Sequence, residues 1–596
     1  MKSLLHNGVL VPPKNIAKGL TIKIKEIGIK LNDEQEEMAV AWTKKVGTPY
    51  VEDKVFQRNF HEDFSKKMAL DFSFEDVDYS NVLKSILNER ELKANLSIEE
   101  KKRQASERKA IRDVNKERFG FATVDGLRME IGNYIVEPNS IFMGRGKHPW
   151  RGKWKEGPRE EDIEINHIPK GKAPKGAWKV IEDLDGMWIA RWRDNLTGKM
   201  KYVWPGDSSF LKQQKDIEKF EKAKDLKEKL DIVKAHIESN LTAEDLRRRK
   251  IATVCHLIDY LKFRVGDEKD DDEEADTVGA STLRPEHLCF NENGSVTFNF
   301  LGKDSIPMNI TAQLPENVVR NLREFSQGAR KESLFEGVNS NLVGDFLKEV
   351  MEGLSAKVFR TLYATETVEK KLRELKIDSQ APEHEKRQVA LKANLEAAIV
   401  CNHKRTIPKS WDQSLQKKKD RVQKLRHRIT TEEKQKRQKL LEEEKKYRNK
   451  LELLEKKLTE AEQTERVIKE PLEKEGIQSK NAKAMKRRLD SAKKVTKSTR
   501  ERIRKLKNSY ISKSLKTKRN IEERKRRNKA ALDRLQLQLE AQELTRDYNL
   551  GTSLKNYIDP RIYYDWGKKV EYDWREYYPA TLQKKFSWIE AQPEEE

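Results

Sequence analysis

Apolar residues recur every three or four positions through most of this chain, and the places where that rhythm changes divide it. From Trp411 to Glu540, Leu and Ile islands stand among charges, as in "RQKLLEEEKKYRNKLELLEKKL". A narrow apolar seam on a charged surface predicts long helices of coiled-coil type. The strong breakers Pro471 and Gly476, in "KEPLEKEGIQSK", lie near the midpoint. Two helical arms folding back as an antiparallel hairpin are therefore expected, each of roughly 60 residues and about 90 Å long. A disordered basic tail is the opposing expectation, and the leucine periodicity argues against it.

Upstream, strict alternation interrupts the helical rhythm. Residues 1–205 hold seven of the 11 tryptophans, and "GAWKVIEDLDGMWIARWRDNLTGKMKYVW" alternates around a "DG" turn and an "NLTGK" turn. Both turns predict β-hairpins, while helical patterns near 33–44 and 81–118 make this region mixed α and β. Helical periodicity then dominates 206–408 with one exception, "GSVTFNFLGKDSIPMNI". There Val296, Phe298 and Phe300 share a face and the chain turns at Gly302-Lys303-Asp304. Lys303 is thus expected at a hairpin tip. After the charged arms, residues 542–596 form a short unit that contains the nearly uncharged "LGTSLKNYIDPR" at 550–561. It continues with Tyr563, Tyr564, Trp566, Tyr572, Trp574, Tyr577, Tyr578 and Trp588, which are expected to pack it onto the core.

Composition changes the picture mainly through charge. With 36% hydrophobic and 37% charged residues, the 596-residue chain is too polar for one compact globule. Of its net charge of +23, +22 falls between Trp411 and Glu540, with +6 on 411–470 and +16 on 471–540. Such an excess points to a polyanionic partner, nucleic acid or an anionic surface. No run of about 20 apolar residues predicts a membrane span, and the start is too weakly apolar for a secretory signal. Cys255, Cys289 and Cys401 lie too far apart in sequence to suggest a disulfide framework or a cysteine-rich zinc site.

Candidate chemistry narrows further by exclusion. "GRGKHP" and "LGKDS" lack the spacing and following hydroxyl of a Walker-type phosphate loop. His148 and His287 have no partners at metal-ligand spacing, and for His287 an ordinary surface or capping role is expected. What remains is a set of scattered cations. Arg264 is expected to end the helix "IATVCHLIDYLKFRVGDEK", Arg360 follows "LSAKVF" in another, and His403 closes "LEAAIVCNHKR". Singly, each reads as a helix-terminal charge or half of an ion pair.

Their order is more informative. "FMGRGKHPWRGKWK", "LKFRVGDEK", "EADTVGASTLRPEHL", "FLGKDSI", "MEGLSAKVFRT", "VCNHKR" and "GTSLKNYIDPR" resemble, in sequence and order, the signature segments of eukaryotic-type DNA topoisomerase IB. The resemblance implies a multidomain α+β protein. Its parts would be an N-terminal α/β DNA-clamp cap (1–205), a mainly helical catalytic core with a β-hairpin (206–408), an antiparallel coiled-coil linker (409–541) and a small helical tyrosine domain (542–596). It implies Tyr557 as nucleophile, with Arg264, Lys303, Arg360 and His403 as the cationic catalytic residues. Guanidinium groups and an imidazolium would stabilise charge developing on the phosphate oxygens, and Lys303 would protonate the departing 5′-oxygen. A 3′-phosphotyrosine conserves the phosphodiester's energy, so religation would need neither ATP nor a metal, and no cofactor is expected.

Further DNA contacts carry over by the same resemblance to Arg145, Lys269, Thr277, Asp304 and Asn556. Lys147 and Met143 depart from the family loop, and "TSLKNY" exchanges Leu554 and Lys555 relative to the usual "TSKLNY". On a helix that exchange turns the charge by about 100°. The implied partner is double-stranded DNA, clamped between cap and core, bound by a monomer without ATP or membrane. The linker is expected to overhang downstream DNA and slow strand rotation. A tyrosine recombinase uses a similar constellation, but Lys357 stands where recombinases usually have His, three residues before Arg360. A non-catalytic coiled-coil DNA-binding scaffold is the third reading. The low-complexity basic N-terminal region of nuclear members is missing, which fits an archaeal or viral relative or a trimmed chain. The expected location is with genomic DNA, in the nucleoid, cytoplasm or nucleus.

Overall fold

The computed structural model describes residues 1–144, 146–267, 277–328, 333–474 and 480–591. They fall into two compact units, one of Met1–Ala381, Val389–Thr406 and Tyr548–Glu596, the other of Pro382–Gln388 and Ile407–Asp547. Helices predominate in both, with several small sheets in the first.

At the start of the first unit the expected helix forms over Asp33–Thr43, set by an Asn32–Gln35 capping box. The stretch expected to be one helix near 81–118 is two, Ser80–Asn95 and Ile98–Phe119. The break falls where the Ser97 hydroxyl accepts from Glu100 N–H, starting a second helix rather than continuing the first. A further helix, Lys54–Met68, was not expected. Its Asp53 cap is bonded to Val55 N–H, and it buries Phe56, Phe60 and Phe64, spaced one turn apart, against Trp42.

The "NLTGK" turn does join an antiparallel pair, Ala190–Arg193 and Met200–Val203. The "DG" hairpin does not form. Strand Lys179–Ile181 runs parallel to Glu164–Asn166, which separates it from Ala190–Arg193. The reason is side-chain competition for the turn. The Asp183 carboxylate accepts from Gly186 N–H at 2.8 Å and from Trp188 Nε1 at 2.8 Å, while Asn166 bonds the Asp183 backbone on both sides.

Further along this unit, helix Leu246–Leu261 is buried on almost every face from Ile251 onward. Around it pack helices Phe210–Asn240, Glu316–Gly328, Ser340–Lys348 and Ala356–Glu374. The expected hairpin pairs Val296–Gly302 with Ile306–Ala312, and a short helical turn, Lys303–Ser305, makes the tip. Val296, Phe298 and Phe300 face inward, and Phe263 meets both phenylalanine rings edge-on at 5.4 Å. The aromatic C-terminal segment buries Tyr563, Trp566, Tyr577 and Tyr578 against Ala364, Ala390, Ala393 and Ala397. Small residues on two helices leave room for rings on the third layer.

In the second unit two long helices, Trp411–Lys474 and Lys480–Leu544, pair side by side. Lys419–Glu543, Glu432–Arg524, Glu443–Lys513 and Glu455–Lys507 are ion pairs whose numbers rise on one arm as they fall on the other, so the arms are antiparallel. Tyr447 stacks on Tyr510 at 3.9 Å. The first helix runs through Pro471, so the expected breaker does not end it, and Gly476 lies outside the described residues.

Candidate active site

The turn after helix Leu246–Leu261 positions the first cation. Lys262 takes a left-handed conformation (φ 59°), so Arg264 is not the end of that helix but lies in the extended chain beyond it. This segment is held by backbone contacts. Arg264 C=O accepts from Ala280 N–H at 2.8 Å, and Leu301 C=O accepts from Val278 N–H at 2.7 Å, tying the segment to the hairpin. The approach requires glycine. A Cβ on Gly279 would lie 1.6 Å from the Val265 carbonyl oxygen.

Lys303 sits exposed at the hairpin tip, with neither a hydrogen bond nor an ion pair among the described residues. The tip is met by the glycine-rich loop, since a Cβ on Gly146 would lie 2.4 Å from Ser305 Oγ. Gly144 and Gly146 both have positive φ, as that tight loop requires. Arg360 lies on helix Ala356–Glu374, 4% exposed. Its Nη1 donates to Lys262 C=O, and its Nη2 to Cys401 C=O at 2.7 Å and to His403 Nε2 at 2.9 Å.

His403 does not close a helix, because helix Glu383–Val400 stops earlier and Asn402 turns with φ 52°. Its Nδ1 lies 2.6 Å from Ser553 Oγ. Burial first, then the charges of Arg360 and Arg264, lower its pKa to about 2. With no anion in the cavity this opposes the expected imidazolium and favours the neutral ring, because a proton there would be both desolvated and crowded by two guanidinium groups. Burial likewise depresses Arg264, which Tyr557 opposes and Arg360 reinforces.

Tyr557 terminates helix Leu550–Asn556, which Asn549 caps by accepting from Thr552 N–H. Besides the contact of Ser553 with His403, further bonds tie this helix and the turn after it to the rest of the unit. Asn549 N–H donates to His403 C=O at 2.7 Å, Thr365 Oγ1 donates to Tyr557 C=O at 3.3 Å and accepts from Asp559 N–H at 3.1 Å. Beyond it, Arg561 pairs with Asp559 and Glu221, anchoring the next helix. The Tyr557 ring lies 4.9 Å from the His403 ring and 5.1 Å from the Arg360 guanidinium.

Arg264, Lys303, Arg360, His403, Asn556 and Tyr557, drawn from positions nearly 300 apart, line one cavity of about 810 Å³. Lys262, Lys357, Lys404 and Arg405 line it too, and its described lining contains no carboxylate. Lys357 entered the sequence reading only as a difference from recombinases, and the other three had no role in it. Lys404 and Arg405 follow His403 directly in "NHKR", but Lys262 is revealed only by the left-handed turn. Its ammonium lies 3.4 Å from the Tyr363 ring centre, and burial lowers its pKa to about 8. Such a wall attracts an anion, and its tyrosine stands within reach of whatever binds.

The remaining expected contacts are less gathered. Asn556 turns its amide back to Thr552 C=O at 3.1 Å. Thr277 is half-buried beside Val278, and Asp304 follows Lys303 at the tip, its side chain outside the described residues. Arg145 and Lys269 also lie outside them. His148 accepts from Trp150 N–H at 3.1 Å and stiffens its own loop, and His287 accepts from Arg284 N–H at 3.0 Å as a cap. Among the described residues no three His, Cys, Asp or Glu side chains gather as a metal site, and no helix is long and apolar enough to cross a membrane.

Comparison with known proteins agrees along the whole chain. Residues 1–205 match the family "Eukaryotic DNA topoisomerase I, DNA binding fragment", and residues 208–436 match "Eukaryotic DNA topoisomerase I, catalytic core". Residues 529–595 match "C-terminal topoisomerase domain". The chain is 32% identical to DNA topoisomerase 1 beta of Arabidopsis thaliana across 100% of its own length, and spans 59% of that relative. It is 31% identical to DNA topoisomerase 1 of Candidozyma auris over 98% of its length, covering 81% of the relative, and 29% identical to that of Rattus norvegicus, covering 70%.

Proposed function

This chain belongs to the eukaryotic DNA topoisomerase I family, and from that premise we propose that it relaxes positive and negative DNA supercoils without ATP by transient single-strand cleavage. The observation that carries this reading is a tyrosine in the wall of a cationic cavity whose described lining lacks any carboxylate. A carboxylate would repel a phosphodiester, whereas Arg264 and Arg360 present donors to its nonbridging oxygens.

In the proposed step, the Tyr557 oxygen attacks phosphorus and its proton passes to water. The P–O5′ bond breaks, and Lys303 gives a proton to the leaving 5′-oxygen. The product is a 3′-phosphotyrosine and a free 5′-hydroxyl. Lys303 suits the acid's role because it is exposed and has no ion pair among the described residues, so no salt bridge there has to break before it reaches the leaving group. After the free strand rotates, attack by the 5′-hydroxyl expels Tyr557 and restores the duplex. Arg145, Lys269, Thr277, Asp304 and Asn556 would contact DNA around this step. The division into cap (1–205), core (206–408), coiled-coil linker (409–541) and tyrosine domain (542–596) belongs to the same proposal. So do action as a monomer and residence with chromosomal DNA, in the nucleus as for the family's eukaryotic members.

The test is relaxation of a supercoiled plasmid without ATP or Mg²⁺. Stepwise loss of supercoils is expected, with protein joined to a DNA 3′ end after denaturation and no such adduct from Tyr557→Phe. Full activity of that variant, or strand exchange between specific sites, would overturn the proposal.

A further inference from the structure

Both nitrogens of His403 are engaged, and one partner lies outside the catalytic constellation. A guanidinium can only donate, so the 2.9 Å contact with Arg360 Nη2 requires a lone pair on Nε2. The ring's single proton is then on Nδ1, and Ser553 Oγ, 2.6 Å away, accepts it. In this arrangement His403 turns no N–H toward the cavity. Ser553 is wholly buried, and its C=O accepts from Tyr557 N–H at 2.9 Å and from Ile558 N–H at 3.1 Å. The same residue therefore shapes the turn that ends in Tyr557 and holds the imidazole beside it.

We propose that Ser553 is a positioning residue that lets His403 serve the phosphate as a neutral donor. The inference rests on the reading above, in which a phosphodiester enters this cavity. Its oxygens draw the Nη2–H of Arg360, and Nε2 loses its donor. A ring fixed with its proton on Nδ1 would then aim a lone pair at an oxyanion. A hydroxyl resolves the conflict because it both donates and accepts. When Ser553 O–H donates to Nδ1, the proton on Nδ1 is given up and one is taken up at Nε2, both exchanged with water in the cleft. Nε2–H then faces the phosphate and the ring stays uncharged. This suits a site whose burial and two neighbouring guanidinium groups oppose an imidazolium. A carbonyl or carboxylate at Ser553 Oγ could only accept, and would hold the ring in the unproductive form.

The experiment is a double-mutant cycle on single-turnover cleavage of a duplex oligonucleotide whose short 5′-hydroxyl strand dissociates, trapping the adduct. Ser553→Ala is expected to slow adduct formation about tenfold, the worth of one buried hydrogen bond. Ser553→Thr, which keeps the hydroxyl, is expected to recover most of that rate. In a His403→Ala background Ser553→Ala should change the rate less than about twofold, because its only target is gone. An equal slowing in both backgrounds would make Ser553 part of the helix and nothing more, and would overturn the proposal. So would a Ser553→Ala variant that melts early or no longer binds the duplex. If the wild-type protein forms no adduct, the catalytic reading itself fails. If it does and Ser553→Ala matches it, only this inference fails.

Discussion

Restoring the family's usual order at the tyrosine segment, by Leu554→Lys with Lys555→Leu, is expected to weaken the protein. Leu554 is 4% exposed and packs in the cluster that holds Tyr557, Ile558 and Tyr563. Lys555 faces outward, its Nζ 2.6 Å from Asp207 Oδ2, with both side chains nearly half exposed. Burial raises the Asp207 carboxyl, but the bond and charge of Lys555 outweigh it and hold that carboxyl below its usual range. The two halves of the exchange differ greatly in cost. Losing a half-exposed ion pair costs at most about 1 kcal/mol. Emptying a buried leucine site costs about 2–5 kcal/mol, part of which the lysine stem recovers while its ammonium strains toward water. The sum is about 3 kcal/mol, nearly all from position 554. Urea unfolding followed by the fluorescence of Trp566, Trp574 and Trp588, which share the cluster, measures it. Lys555→Ala alone should cost less than about 1 kcal/mol. An exchanged protein as stable as the wild type would refute the reasoning, as would Lys555→Ala costing as much as the exchange.

Three further outcomes are expected. Lys303→Ala should slow cleavage by about 10²–10⁴-fold if it is the general acid, and should slow it far less on a substrate whose 5′ leaving group needs no proton. Equal slowing on both substrates would exclude the role. His61 accepts from Tyr79 O–H and donates to Gln57 C=O, and burial lowers its pKa to about 4. Its neutral form is favoured in the fold, so its stability is complete above pH 6.5 and lost as pH falls toward 4, about 2 kcal/mol by pH 5. His61→Gln should remove that share of the pH dependence in melting curves. Replacing 415–538 by a short linker should speed relaxation and flatten its salt dependence, because the whole of the chain's net positive charge is removed with it. An unchanged rate and salt slope would leave those arms as a spacer.

Much of this architecture is legible along the chain. The three- and four-residue leucine spacing of 411–540 announces two long helices, and the alternation of Val296, Phe298 and Phe300 announces the hairpin carrying Lys303. In both, the element is selected by a local period that meets one continuous apolar surface. Local reading fails where a side chain outbids the backbone pattern. Asp183 and Asn166 satisfy the backbone that a "DG" hairpin would have used, and Ser97 restarts a helix that periodicity would have continued. The positions of Arg264, Lys303, Arg360, His403 and Tyr557 are likewise readable, but only through the order of their segments.

What the sequence by itself determined is which residue types are available and which elements carry them. Their protonation and their facing were decided by tertiary structure. His403 is held toward its neutral form first by burial and then by two arginines from distant segments, and a charge in such a place depends on every neighbour at once. Leu554 and Lys555 could each have pointed inward on a lone helix. Only the cluster beneath one and Asp207 beside the other assign their faces, because burial is a property of the surface met and not of the residue alone.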